Sequence, residues 1–277
     1  MSEIFGFDAY SPKEIAGKVQ AIGVTKARLP LVSQLTLGVL AGGFIGLGAL
    51  YFTLVTSDVR LGFAASRLLG GLAFSLGLIL VVVAGAELFT GNNLLVMAWA
   101  SRRITTLALI RNWVVIYLAN FIGAFGLVLL VLWSQQWRMN DGEVGMAALK
   151  IAAAKTALPF WEAFFKGILC NMLVCLAVWL ALAGRSVMDK ILAIIFPISA
   201  FVAAGFEHSV ANMYFIPLGI MVQEHVSSPG LPPVNWAGLI SNLIPVTLGN
   251  IVGGAVMVAA VYYVVYCRRS NEHEGES

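Results

Sequence analysis

Ala204-Gly205-Phe206-Glu207-His208-Ser209-Val210-Ala211-Asn212 sets a carboxyl beside an imidazole inside an apolar stretch long enough to cross a membrane. A charged acid at the centre of a spanning helix costs roughly 2.5–3.5 kcal/mol on insertion scales, so such residues face a bundle interior or a polar cavity. The same pattern, without its histidine, occurs once more as Ala84-Gly85-Ala86-Glu87 with Asn92. Ala, Gly, Glu and Asn fall in identical register, 120 positions apart. The pair of motifs predicts a duplicated membrane protein with one unmatched intramembrane histidine.

Composition agrees. The 277 residues are 60% hydrophobic and 11% charged, with a mean hydropathy of +0.89, which no soluble domain of this size requires. A net charge of +3 is too small to point to nucleic acid. Cys170 and Cys175 lie in an apolar span, and three cysteines are an odd number, so they are expected as small packed hydrophobes and not as a disulfide framework. The first thirty residues carry Asp8, Lys13, Glu14, Lys18 and Lys26 and lack the apolar core of a cleavable signal peptide. Ser11-Pro12-Lys13-Glu14 opens a surface helix there, with a capping serine and proline in its first turn. The expected domains are a cytoplasmic N-terminal helix and linker over 1–30, a membrane-spanning domain over 31–266, and a cytoplasmic tail over 267–277.

Stretches long enough to cross about 30 Å of hydrocarbon fall near 31–55, 68–99, 112–134, 161–183, 190–222 and 237–266. The second and fifth are too long and carry the polar Gly/Glu/Asn segments midway. The N-terminus, the loops after the second and fourth spans, and the tail hold 11 of the 17 lysines and arginines, so both termini are expected in the cytoplasm. The repeat extends further. Asn112, Leu118, Asn120 and Gly123 of the third span match Asn242, Leu248, Asn250 and Gly253 of the sixth at an offset of 130. Three spans per unit is an odd number, so the second unit (about 161–266) enters from the face opposite the first (about 31–134). Such inverted repeats put their sites at the midplane, on broken helices.

Glu87 and Glu207 hold equivalent places and are expected to support the broken backbone, whose freed amides cost several kcal/mol each when unsatisfied; a proton relay is the competing role. His208 stands where the first repeat has Leu88. Its imidazole can donate a hydrogen bond to an anion and exchange a proton near neutral pH. Asn171, Asn212, Asn92 and Asn93 offer uncharged amide donors that would solvate an anion weakly enough to release it. Asn120 and Asn250, the repeated pair, read instead as glue between helices. Lys155 and Lys166 flank the outer end of the fourth span, either steering anions to the mouth or anchoring the span by snorkelling. Phe74, Phe89 and Phe201 precede or enter the broken segments and could form hydrophobic constrictions or ordinary core. The glycines of the first and sixth spans, among them Gly38, Gly42, Gly249 and Gly253, allow close backbone approach. With only three histidines, no P-loop and no His-Glu-x-x-His, no metal site or cofactor is expected. A membrane enzyme using Glu207 and His208 as acid and base would need a nucleophile or metal that the sequence does not supply.

The run from Gly167 to Trp179, the stretch Gly205 to Met213, Gly85-Ala86-Glu87-Leu88-Phe89-Thr90 and Gly184-Arg185-Ser186-Val187-Met188-Asp189-Lys190 closely resemble the formate/nitrite transporter family over nearly the whole chain. The resemblance implies an all-α, six-span, aquaporin-like fold with broken second and fifth helices, a homopentamer in the bacterial inner membrane, and passage of small monovalent anions, with lipid as the other partner. It further implies His208 as the central pore histidine, Thr90 as the loop residue bonded toward it, and Asn171 and Lys155 as companions. Phe74 and Phe201 match an outer constriction, and Leu78 and Leu88 an inner one. Gly-Arg-Ser-x-Met-Asp-Lys and Phe-Glu-His-Ser resemble the formate branch, whereas Glu-Leu-Phe-Thr-Gly resembles the nitrite branch. Formate is the expected cargo, with nitrite or hydrosulfide as the alternative and proton-coupled symport as a second mode on the same scaffold. His208 is expected to hand the anion a proton.

Overall fold

The computed structural model describes residues 9–226 and 230–268; most of the expected tail, 267–277, and the first eight residues lie outside them. The described residues are built on helices. α1 (Pro12–Ala27) starts at a reciprocal cap, Ser11 accepting from the Glu14 amide while the Glu14 carboxylate accepts from the Ser11 amide. Those serine bonds, the backbone one first, hold the Glu14 carboxyl below the usual carboxylate range.

Among the described residues, five helical stretches are long and apolar enough to cross a membrane: Leu31–Thr56, Phe63–Gly85, Thr106–Trp133, Phe160–Ala183 and Trp236–Tyr266. They comprise α2 (Leu31–Thr56), α3 (Phe63–Ile79) with its π-helical end Leu80–Gly85, α5 (Thr106–Trp133), α7 (Phe160–Ala183), and α10 (Trp236–Ile251) running through a π-helix into α11 (Val261–Tyr266). The segment expected near 190–222 is two shorter helices, α8 (Val187–Ala203) and α9 (Ser209–Val222). After α3 the chain leaves the helix at Gly85 and resumes as a 3₁₀ turn, Gly91–Leu95, followed by α4 (Val96–Ala100). Gly85 and Gly205 occupy left-handed backbone, φ +88° and +73°, where a β-carbon is strained.

One helix was not read from the sequence. α6 (Glu143–Thr156) lies between the two halves and packs on α9. It is the counterpart of α1, since it ends with Lys155 as α1 ends with Lys26, 129 positions earlier. Its charges hid α6: Glu143, Lys150 and Lys155 break its apolar residues into runs too short to read as a span.

α2 packs on α5, α7 on α10, and α3 on α8. The first two contacts are close enough that side chains would block them. A β-carbon on Gly42 would run into the Asn120 carbonyl oxygen, and one on Gly249 into that of Phe164. Outward faces carry exposed Leu107, Leu118, Ile122, Trp133 and Phe196, an apolar surface that suits lipid or further copies of the chain. Gly42→Ala and Gly249→Ala should each lower stability by about 1–3 kcal/mol through overpacking. Gly126→Ala, with nothing within 4 Å of its new methyl, should leave it unchanged or raised. Thermal unfolding of the purified variants in detergent checks this.

Candidate functional site

Breaking a helix in an apolar interior frees backbone groups that must find partners. Here they find two carboxamides. Asn120 Oδ1 accepts from the Phe89 amide at 2.9 Å, while its Nδ2 donates to the carbonyls of Gly38 at 2.8 Å and Glu87 at 2.9 Å. Asn250 does the same at the second break, accepting from Ser209 N–H at 2.9 Å and donating to Gly167 O at 2.8 Å and Glu207 O at 2.9 Å. The amide of Glu87 reaches Leu37 O, and that of Glu207 reaches Lys166 O. Both asparagines are fully buried. Each asparagine thus joins two helices, Gly38 lying on α2 and Gly167 on α7, and it also holds the freed backbone that the sequence pattern assigned to the glutamates. A carboxamide both donates and accepts, so one side chain satisfies both freed amides and freed carbonyls, which an acceptor-only carboxylate cannot do.

The glutamate side chains instead anchor two matching polar clusters. Lys26 Nζ lies 3.1 Å from Glu87 Oε1, and Asn92 donates to Glu87 Oε2 at 2.8 Å and to Asn112 Oδ1 at 3.0 Å. Lys155 Nζ lies 2.8 Å from Glu207 Oε1, and Asn212 donates to Glu207 Oε2 at 2.6 Å and to Asn242 Oδ1 at 2.7 Å. Asn112 and Asn242 close each cluster by donating to the carbonyls of Lys26 and Lys155. The sequence pattern contained the glutamates and asparagines of both clusters but not their links to Lys26 and Lys155, which stand on separate short helices. With its amide nitrogen committed here, Asn212 is not the free pore donor the sequence suggested.

The symmetry fails at one point. His208 Nε2 lies 2.8 Å from Thr90 Oγ1, whereas the equivalent positions hold Leu88 and Val210. His208 Nδ1 accepts the Ala211 amide at 3.1 Å and so caps α9. A neutral ring bonded that way carries its single proton on Nε2, and that N–H donates to Thr90 Oγ1. Asn171 Nδ2 donates to the carbonyls of Thr90 and Asn250 at 3.2 and 2.7 Å, so it braces the Thr90 loop and has no donor left for an anion.

Two cavities approach this point. One, about 410 Å³, is lined by Arg67, Phe74, Lys155, Phe201, His208 and Phe215 among others. The other, about 360 Å³, is lined by Lys26, Leu78, Glu87 and Leu88, with Val19 and Ile22 of α1 as part of its wall. Phe74 and Phe201 meet edge to face at 5.8 Å, Phe215 stacks on Phe74 at 6.4 Å, and Phe201 stacks on the His208 ring at 6.1 Å. Phe215 was missed because it sits in a helix that is apolar on all sides. Phe89, expected in a constriction, packs on Trp113 and Tyr117 and lines neither cavity; the Asn120 bond to its amide turns it away. The described residues hold no cluster of metal-ligating side chains.

The model of the formate/nitrite transporter family matches residues 13–264. This chain belongs to that family. It is 41% identical to the formate channel FocA of Escherichia coli (strain K12), over 96% of this chain and 98% of that one. It is also 41% identical to a probable formate transporter of Methanothermobacter thermautotrophicus, covering 93% and 97% of the two chains. Among solved structures, a pentameric formate channel with formate bound superposes with a TM-score of 0.79 at 37% identity, covering 86% of this chain and 98% of that one.

Removing one partner of a buried ion pair leaves the other charge stranded, which costs about 3–5 kcal/mol, while removing both is often neutral. Glu207→Gln should therefore lower the melting temperature sharply although Asn212 keeps an acceptor. Glu207→Gln with Lys155→Met should recover most of the loss. Thermal unfolding of the two single variants and the double variant checks it, with strict additivity as the contrary result.

Proposed function

We propose that this chain is a formate channel of a bacterial inner membrane, with its pore passing between the two helix breaks at His208. Membership of the formate/nitrite transporter family and 41% identity over nearly full length to a formate channel support the activity. In this reading the chain crosses the membrane six times as two inverted units, with α8 and α9 together forming the fifth crossing and both termini in the cytoplasm. Five copies assemble, as in the pentameric relative, each with its own pore. The exposed apolar faces then meet lipid or neighbouring copies.

The observation that carries the mechanism is the His208–Thr90 bond. An anion entering the larger cavity meets the phenylalanine cluster of Phe74, Phe201 and Phe215, which strips its water. Beyond it, the His208 Nε2–H donates to Thr90 Oγ1, so the Thr90 hydroxyl keeps its own hydrogen to give to a carboxylate. The neutral acid then crosses between Leu78 and Leu88 into the second cavity. Neutrality removes most of the penalty for leaving water.

The hydrogen bonds of His208 favour a different source for the proton. Giving up its single Nε2 proton would leave an imidazolate. Holding two protons would put a hydrogen on Nδ1, where it opposes the Ala211 amide and breaks the cap on α9. His208 thus acts as a neutral donor that orients Thr90, and the proton reaches the anion from a water retained in the larger cavity beside His208, leaving hydroxide on that side.

Formate, nitrite and hydrosulfide fluxes into proteoliposomes, with and without a pH gradient, test the assignment: formate should pass fastest of the three. His208→Asn keeps a capping acceptor for Ala211 and a donor for Thr90. It should retain flux to within about ten-fold, with the wild-type pH profile across pH 5–8. A profile flattened over the range where an imidazole titrates would restore the proton to His208.

A further inference from the structure

The cavity beside His208 has four cations on its wall, Arg67, Lys150, Lys155 and Lys166, against one acid, Glu207. Two of the four are neutralised: Lys155 by Glu207 at 2.8 Å and Lys166 by Glu162 at 2.7 Å. The lysine that the sequence singled out for drawing anions in is therefore spent within the fold. Among the described residues neither Arg67 nor Lys150 has an ion-pair partner; Arg67 leans on the Phe63 ring, 5.5 Å away.

Both of these residues also line a further cavity of about 290 Å³, with Thr56, Ser66 and Glu143 on its wall. They stand where the two spaces adjoin. Arg67 is also next to the break: one guanidinium nitrogen lies 3.8 Å from where a Gly205 β-carbon would be, and Phe201 and His208 are on the same cavity wall. Glu143 lines only the smaller space, one carboxylate against two cations. Unpaired charges of one sign in a cleft with apolar walls concentrate counter-ions, and a guanidinium fork matches the two oxygens of a carboxylate.

We propose that Arg67 and Lys150 form an anion-docking station at this mouth, ahead of the phenylalanine cluster, which loads the pore with small monovalent carboxylates. The station rests on the reading of the chain as an anion channel, but it is a separate site with a separate test. Its cations fix the concentration at which the channel half-saturates, and the breaks fix the rate of passage.

Formate flux into proteoliposomes, as a function of concentration, compares wild type with Arg67→Gln, Lys150→Gln and the double variant. Loss of a charge interaction of this reach should raise the half-saturating concentration about three- to five-fold in the double variant, with maximal flux unchanged. The difference should shrink in about 0.5 M potassium chloride, a salt without a carboxylate, through screening. The rise should appear only for formate added on the side of this mouth. Equal half-saturation in all four proteins at low salt overturns the station, as does a fall in maximal flux alone. A second readout needs no transport: formate should slow phenylglyoxal labelling of Arg67 in the wild-type protein and do so less in Lys150→Gln. If wild type passes no formate, the channel assignment fails, and the labelling still decides the station; labelling indifferent to formate in wild type overturns it.

Discussion

Two buried carboxamides carry this fold. Asn120 and Asn250 each make three bonds of 2.8–2.9 Å to backbone, two to the groups freed at the break and one to a carbonyl of a neighbouring helix, Gly38 or Gly167. A buried amide or carbonyl left without a partner costs about 1–3 kcal/mol, so two breaks without these side chains would be untenable in an apolar bundle. With them, the chain can turn out of helix at Gly85 and Gly205 and present polar atoms where a continuous helix would present only side chains. The close approach of α2 to α5 and of α7 to α10 follows from the same requirement. Each asparagine has to reach a carbonyl on the neighbouring helix, and glycines remove whatever would keep the helices apart.

Around this frame the two-fold likeness is carried by chemistry and not by general hydrophobicity. Each half has a lysine on a short helix, a glutamate in the break, and two asparagines that tie them together. Because every charge in these clusters is paired, they hold the short helices α1 and α6 over the cavities without leaving net charge beside the breaks. The likeness ends at the pair His208 and Thr90, whose repeat positions hold Leu88 and Val210. A single hydrogen bond of 2.8 Å joins the two unlike residues, and it is on this bond that the proposed role of the Thr90 hydroxyl as an uncharged donor to an anion rests.

Much of this was legible in the residues because the duplication could be compared with itself. The Ala-Gly-x-Glu register falls where the helices end, at Gly85 and before Ser209, and the lack of a repeat partner for His208 singled out the residue that bonds Thr90. What the pattern could not supply was direction. Asn120 and Asn250 were visible as repeated, yet sequence does not tell whether a carboxamide bonds a neighbouring helix or the broken backbone beside it. Lys155 was visible as a cation near a span end, but its neutralisation by Glu207 depends on α6, a helix with no apolar run to announce it. Phe89 and Phe215 show the same limit: which of several phenylalanines lines a cavity is set by where the backbone turns.

The most direct measurement is amide hydrogen exchange at Phe89 and Ser209 in lipid nanodiscs, read beside formate flux. Both amides lie at the ends of non-helical segments, yet each should exchange slowly in wild type, as its carboxamide partner requires. Asn250→Ala should speed exchange at Ser209 and abolish formate flux. Fast exchange at these amides in wild type, or undiminished flux through Asn250→Ala, would contradict the claim that the asparagines hold the pore open in its working shape.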